Sequence, residues 1–384
     1  MPIRSAAGPL SLIASLLLVV PALHAQSLAD RAVEQNHVTV GGYGEIQYTN
    51  ASGPATPGRV DLTRFVIYLA NAFTDKLSVR SEVEIEDAKI ENGSPAGEVS
   101  VEQLFLDYRL SDAFTLRTGL LLAPVGIINE THEPTTFNGV ARPDFDHDVI
   151  PTTWRELGIG AAGALPGISG VAYRVYLMNG LRSEGFSADE GIREGRQEGQ
   201  DASFANPSLT GRLEWARPGL KIGGSFWYGG SADQNPAIGT GTFAAPVTVL
   251  AADARYNLGG LSLRGVVANV SVGDASLIND AFGGQVAHRI SGGYAEAAYD
   301  VLRLVAPASS QRLDAFARYE NYDTHADVPA GVVRSDSLAR RITTLGLTYK
   351  PVGGVVFKGD YQLRRNRAGI GASDVARLGV GYQF

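Results

Sequence analysis

The chain has 384 residues and a formal net charge of −7, from 33 lysines and arginines against 40 aspartates and glutamates. That balance argues against nucleic acid as a partner. The absence of cysteine excludes disulfides, thiolate catalysis and cysteine-bound zinc.

Residues 1–25 read as a secretory signal peptide, with Arg4 near the start, an apolar stretch from Leu10 to Val20, then Pro21 and Ala25 before Gln26. Cleavage after Ala25 removes Arg4, leaving 32 basic against 40 acidic groups, or 8 negative. The apolar core of that peptide is too short to span a bilayer as a helix. No later segment supplies about eighteen uninterrupted apolar residues. An exported chain without disulfides must satisfy its backbone some other way, and a closed barrel does so because it leaves no edge. Residues 26–37 are expected to form a short N-terminal segment, and 38–384 the barrel.

From Val38 onward the sequence falls into segments with period-two alternation, of the length a tilted strand needs to cross an outer membrane. In 76–88, Leu77, Val79, Val83 and Ile85 share one face, and Arg80, Glu82, Glu84 and Glu86 the other. Strands are expected at 38–49, 59–73, 76–88, 98–110, 114–122, 154–164, 170–180, 207–216, 220–229, 247–257, 261–272, 289–304, 311–322, 340–350, 354–366 and 374–384, about sixteen in all. Short turns at 74–75, 111–113, 165–169, 217–219, 258–260, 305–310 and 351–353 alternate with long loops. This is the pattern of an all-β, antiparallel, transmembrane up-and-down barrel with small periplasmic turns and large outer loops. The mean hydropathy of −0.02 agrees with one greasy and one wet face. Tyr48, Phe73, Phe114, Trp154, Trp215, Tyr228, Tyr256, Tyr322, Tyr349 and Tyr361, toward strand ends, suggest two interfacial girdles.

The stretch 123–153 is unusually long for a connection, and such loops are normally functional. Pro134, Pro143 and Pro151 interrupt it, and Glu130, Glu133, Asp144, Asp146 and Asp148 make it acidic against Arg142 alone. It is the segment placed to fold inward and narrow a pore. Asp144, Asp146 and Asp148 imitate the first ligand positions of a calcium loop. Val149 then stands where glycine is required, and Arg155 where the closing glutamate belongs, so a solvated acidic loop is expected. His132 and His147 have no diagnostic metal-ligand spacing, and no metal or cofactor is assigned.

By parity Arg64, Arg80, Arg109, Arg117, Arg174, Arg212, Lys221, Arg255, Arg264, Arg318, Lys358, Arg364 and Arg377 lie opposite the apolar face. Charge facing lipid is expensive, so these residues form a basic lumen wall. They either pair with neighbouring acids or face the acidic loop across a narrow gap, where fixed charge sorts ions by sign. The glycines from Gly158 to Gly163 match a dinucleotide fingerprint, but they sit inside one strand and not between a strand and a helix. Neither a G-x-S-x-G elbow nor an H-E-x-x-H pair is present.

The last strand ends GlyValGlyTyrGlnPhe, which resembles the C-terminal signature of bacterial outer-membrane barrels. Taken with the opening GlyGlyTyrGlyGluIleGlnTyr, the run LysLeuSerValArgSerGluValGluIleGlu and the segment ArgThrGlyLeuLeuLeuAlaProValGlyIleIleAsn, the chain resembles the phosphate-selective porin O and P family. The resemblance implies a sixteen-stranded porin, a homotrimer of separate pores with an inward third loop. Phosphate selectivity in that family rests on an arginine ladder and a lysine cluster. Here there are five lysines, Lys76, Lys89, Lys221, Lys350 and Lys358, and an acidic constriction loop. The expected function is passive diffusion of small hydrophilic solutes and ions, anions such as phosphate among them, with outer-membrane lipid as the surrounding partner. A barrel enzyme of lipase or protease type, or a non-conducting barrel with a filled lumen, are the alternatives.

Overall fold

The computed structural model describes residues 38–52, 57–88, 97–232, 235–236 and 243–384. The expected signal peptide and the 26–37 segment lie outside the described residues. Sixteen strands follow one another: β1 Thr39–Ala51, β2 Arg59–Ala72, β3 Leu77–Glu86, β4 Glu98–Ser111, β5 Phe114–Leu122, β6 Arg155–Ala164, β7 Val171–Met178, β8 Ser208–Arg217, β9 Leu220–Gly229, β10 Val247–Leu258, β11 Leu261–Val272, β12 Arg289–Asp300, β13 Arg312–Asp327, β14 Ala339–Val352, β15 Val355–Asn366 and β16 Val375–Gln383. Each pairs with its sequence neighbours, and β1 pairs antiparallel with β16, Tyr43 opposite Gln383, so the sheet closes. The expected strand count and order hold. β12 stops earlier than the alternation suggested, because Leu302–Val305 form a helical turn, and β13 runs further, to Asp327.

Alternation decides which face turns in. Val83 and Ile85 point outward from β3, while Ser78, Glu82 and Glu84 are buried inside. Around the wall Leu69, Leu106, Ile159, Leu213, Leu250, Val267, Leu345 and Leu378 are exposed on the outer face, the apolar band that a bilayer covers. Tyr48, Phe73, Phe114, Tyr228 and Tyr361 are exposed outside as well. Trp154 and Tyr322 are not girdle residues. Both are fully buried within the barrel, and Trp154 packs tilted against Trp227 with ring centroids 4.2 Å apart.

The interior departs from a simple wet face. Toward the long-loop end of β9 to β12, Trp227, Val249, Val270, Ile290 and their neighbours turn apolar side chains inward. Against them pack Val125, Ile127, Ile128, Phe145, Val149 and Ile150 of the 123–153 segment, forming one continuous apolar core. Each large side chain buried there contributes about 1.5–3 kcal/mol.

Candidate functional site

The inward segment is closed at its neck by Asn129. Its Nδ2 donates to the carbonyls of Ala123 (2.7 Å) and Trp154 (3.0 Å), and its Oδ1 accepts from the Trp154 N–H at 2.6 Å. With the two ends tied together, the residues between them form a self-packed loop. At Gly126 the backbone takes φ +72°, and a Cβ there would stand 2.9 Å from Ile150 Cδ1. Only glycine fits that turn without strain.

From the neck the segment descends through the lumen and returns. Gly126 N–H donates to Ser225 on β9, and Arg212 on β8 donates to the Gly126 carbonyl. Thr135 reaches Gln383 at the far end of β16 (2.6 Å), and Lys350 donates to the Thr135 carbonyl at 2.8 Å. On the way back Asn138 donates to Glu296 (3.0 Å), the Phe145 N–H donates to Glu320 (2.9 Å), and Tyr322 donates to Asp148 (2.7 Å). Contacts therefore come from strands on every side of the wall, and the segment runs the depth of the barrel.

The solvated acidic loop and the open gap expected between it and the arginines are not what is found. Asp144 is paired directly with Arg364, Asp148 with Arg340, and Glu130 with Arg174 at 3.0 Å. Asp146 points elsewhere and is fully buried, so the three aspartates do not converge on a calcium site. Burial, with Glu320 nearby, pushes the Asp146 carboxyl up to about 8. Burial works against ionisation of Asp148 too, but His147, Arg340 and Tyr322 together hold its carboxyl below the usual range. Glu133 is buried and accepts from the Tyr68 hydroxyl at 3.5 Å. Arg142 is half-buried and makes no ion pair among the described residues.

The wall residues divide into two groups. On β5 to β11, Arg117, Arg174, Lys221, Arg255 and Arg264 keep 17–22% of their side-chain surface open while facing inward. Lys221 stands opposite Arg255, Arg255 opposite Arg264, and Arg264 opposite Glu296. Like charges directly opposed across strands are unfavourable unless something screens them. Glu214 serves both Arg255 (2.7 Å) and Lys221 (3.7 Å), while Arg117 makes a two-pronged contact with Asp107.

The remaining basic residues are engaged in dry contacts or lie off the path. Arg212 forks onto Asp253, Arg318 joins Glu296 and Glu320, and Arg64 joins Glu45 (2.8 Å) and Glu84 (3.1 Å). Lys358 lies 3.7 Å over the Phe137 ring, Arg377 stands 3.9 Å from Asp360, and Arg80 lies near the Phe105 ring. Arg109 does not belong to the lumen wall. It sits at the short-turn rim, 62% exposed, paired with Asp112.

Sequence reasoning missed Glu102. The β3 to β4 register slips between Glu82 and Val83, so Gln103 opposes Glu82 while Val101 opposes Val83, and the extra residue Glu102 is turned inward. The signal was present: Val99 and Val101 occupy one parity and Leu104, Leu106 and Tyr108 the other, and all five are exposed outside. A change of phase inside an alternating strand marks a bulge. Glu102 meets His132, whose Nε2 is 3.3 Å from Glu102 and 3.6 Å from Glu82. Burial opposes charge on this imidazole, yet Glu102 and Glu82 hold its pKa up to about 10.

No protein-family model matches the chain. Among solved structures it resembles OmpF of Salmonella typhi in complex with daunomycin, with a TM-score of 0.60 at 12% identity over 91% of this chain and 98% of that one. It also resembles a loop-deletion form of OmpT, an outer membrane protein of Vibrio cholerae (0.57, 10% identity, 91% and 100% covered). A third likeness is to the outer membrane channel DcaP of Acinetobacter baumannii (0.55, 10% identity, 94% and 99% covered). These likenesses place the fold among porin-type outer-membrane barrels. In sequence, the chain is 35% identical over 359 residues to an uncharacterized protein of Aquifex aeolicus strain VF5, spanning 90% of this chain and 80% of that one. The chain belongs to the same family as that Aquifex protein, and its own fold is a closed sixteen-stranded barrel of porin type.

Proposed function

We propose that the protein is an outer-membrane diffusion channel for small hydrophilic solutes and ions, with a preference for anions. The observation that carries this reading is the row of inward-facing, solvent-accessible cations along β5 to β11, flanking the side of the inward segment that is not packed dry. A wide barrel of sixteen strands leaves room for water. The inward segment takes up much of that room, which leaves a narrow passage where the five open cations outnumber the four carboxylates paired with them, Asp107, Glu130, Glu214 and Glu296. Fixed charge at such a passage selects ions by sign. Export by the signal peptide at 1–25 and assembly as a homotrimer belong to the same proposal.

Planar-bilayer recording with the full-length protein tests the reading. Stepwise conductance below that of an open sixteen-stranded pore is expected, with a reversal potential in a KCl gradient of the sign given by chloride. Folded protein that inserts without any conductance would instead identify a non-conducting barrel. Sizing the detergent-extracted protein checks the trimer, and N-terminal mass analysis checks cleavage after Ala25.

A further inference from the structure

Three side chains that the proposed passage does not use meet in the driest part of the lumen. Glu82 comes from β3, Glu102 from the bulge in β4, and His132 from the inward segment. Each is at most 3% exposed, and their donor atoms lie within 4.8 Å of one another. Glu82 Oε1 and Glu102 Oε1 are buried and have no hydrogen-bond partner among the described residues. Orphaned buried carboxylate oxygens ask for an explanation, an unseen ion being one.

We propose that Glu82, Glu102 and His132 bind one divalent transition-metal ion of the borderline kind that zinc exemplifies. Two donors each about 2.0–2.1 Å from a tetrahedral ion stand about 3.3–3.4 Å apart. The His132 Nε2 separation of 3.3 Å to Glu102 falls on that edge, and the 3.6 Å to Glu82 is slightly longer, a gap a small side-chain movement closes. The supporting contacts are those a metal site needs. His132 Nδ1–H donates to the Asn129 carbonyl at 3.0 Å, which leaves Nε2 as the ring nitrogen facing the carboxylates. Gln103 Nε2 donates to Glu82 Oε2 at 2.6 Å, and the Tyr43 hydroxyl donates to Glu102 Oε2 at 3.4 Å, fixing both carboxylates.

Charge points the same way. Arg64 is shared by Glu45 and Glu84, and among the described residues His132 is the basic side chain at contact distance from both Glu82 and Glu102, with Arg142 acting on Glu102 from further off. A buried anionic pair of this kind needs a cation. The ion would pin the inward segment to β3 and β4, next to the neck held by Asn129.

The test uses the full-length barrel in detergent, stripped with a chelator, offered Zn²⁺ and dialysed. Elemental analysis is expected to find one retained zinc per chain, with affinity lowered at least about tenfold in Glu102→Gln and in His132→Gln and unchanged in the rim variant Asp112→Asn. No retained zinc in the folded wild-type protein, or retention unaffected by both site variants, would overturn the proposal. Should either variant fail to fold, X-ray absorption at the zinc edge of the loaded wild-type protein decides. A shell containing one imidazole and near ~2.0–2.1 Å distances sustains the site, and an all-oxygen shell refutes it. Metal uptake is read without reference to conductance, so it stands or falls separately from the channel.

Discussion

Replacing Asn129 with alanine should free the inward segment while leaving the wall intact. The substitution removes two donated hydrogen bonds and one accepted one. The Ala123 carbonyl keeps the Val125 N–H, and the Trp154 carbonyl keeps the Ala123 N–H, but the Trp154 N–H is left bare in a buried site. Two bonds at about 1 kcal/mol each, plus about 1–3 kcal/mol for a stranded buried N–H, give about 3–5 kcal/mol. At about 1.4 kcal/mol per factor of ten, the opening equilibrium of the segment shifts by roughly one hundred- to a few thousand-fold. Hydrogen exchange followed by mass spectrometry measures this directly, on peptides covering 123–153 and on wall peptides of the same sample. Faster exchange confined to 123–153 is the expected result. A change below about tenfold, or one that spreads equally through the strands, would show that Asn129 does not hold the neck.

Gly126→Ala places a Cβ against Ile150 Cδ1 in a left-handed backbone and should destabilise the segment by about 1–2 kcal/mol, read by the same exchange experiment. Asp146→Asn should stabilise it in a pH-dependent way. The native carboxyl has its folded pKa raised to about 8 from 3.8, so the penalty of burying its charge is complete above pH 8 and fades as pH falls toward 4. The gain from the asparagine, measured by urea denaturation, should be larger at pH 9 than at pH 4, and equal gains at both would contradict the burial argument. Lys221→Glu combined with Arg255→Glu reverses two of the open cations and should move the KCl reversal potential toward potassium, while Arg109→Ala at the rim should leave it unchanged.

Much of the wall was legible because lipid and water impose opposite demands on alternate residues. Leu77, Val79, Val83 and Ile85 against Glu82 and Glu84 leave β3 one orientation. The inward course of 123–153 was legible from its length and prolines. Its contacts were not, since a partner such as Gln383 lies 248 residues from Thr135 and no local pattern announces it. The apolar inner half of β9 to β12 was hidden for a related reason: a residue buried by an inward loop and one facing lipid look alike in sequence. Glu102 was lost to a parity rule applied through a bulge, and Arg109 was placed by parity alone, which gives the face but not the height.

The inward segment leaves the wall after the fifth strand, yet its tip rests against the sixteenth. The apolar residues around Ile127 and Phe145 settle once β9 to β12 are in place, but Thr135 at the tip waits for the last strands. Seating of the tip and joining of the first strand to the last must therefore coincide, and such distant contacts make assembly slow. A chain truncated before β9 would expose an oily hairpin at the moment of membrane insertion, and quality control in the cell envelope would meet it as a substrate.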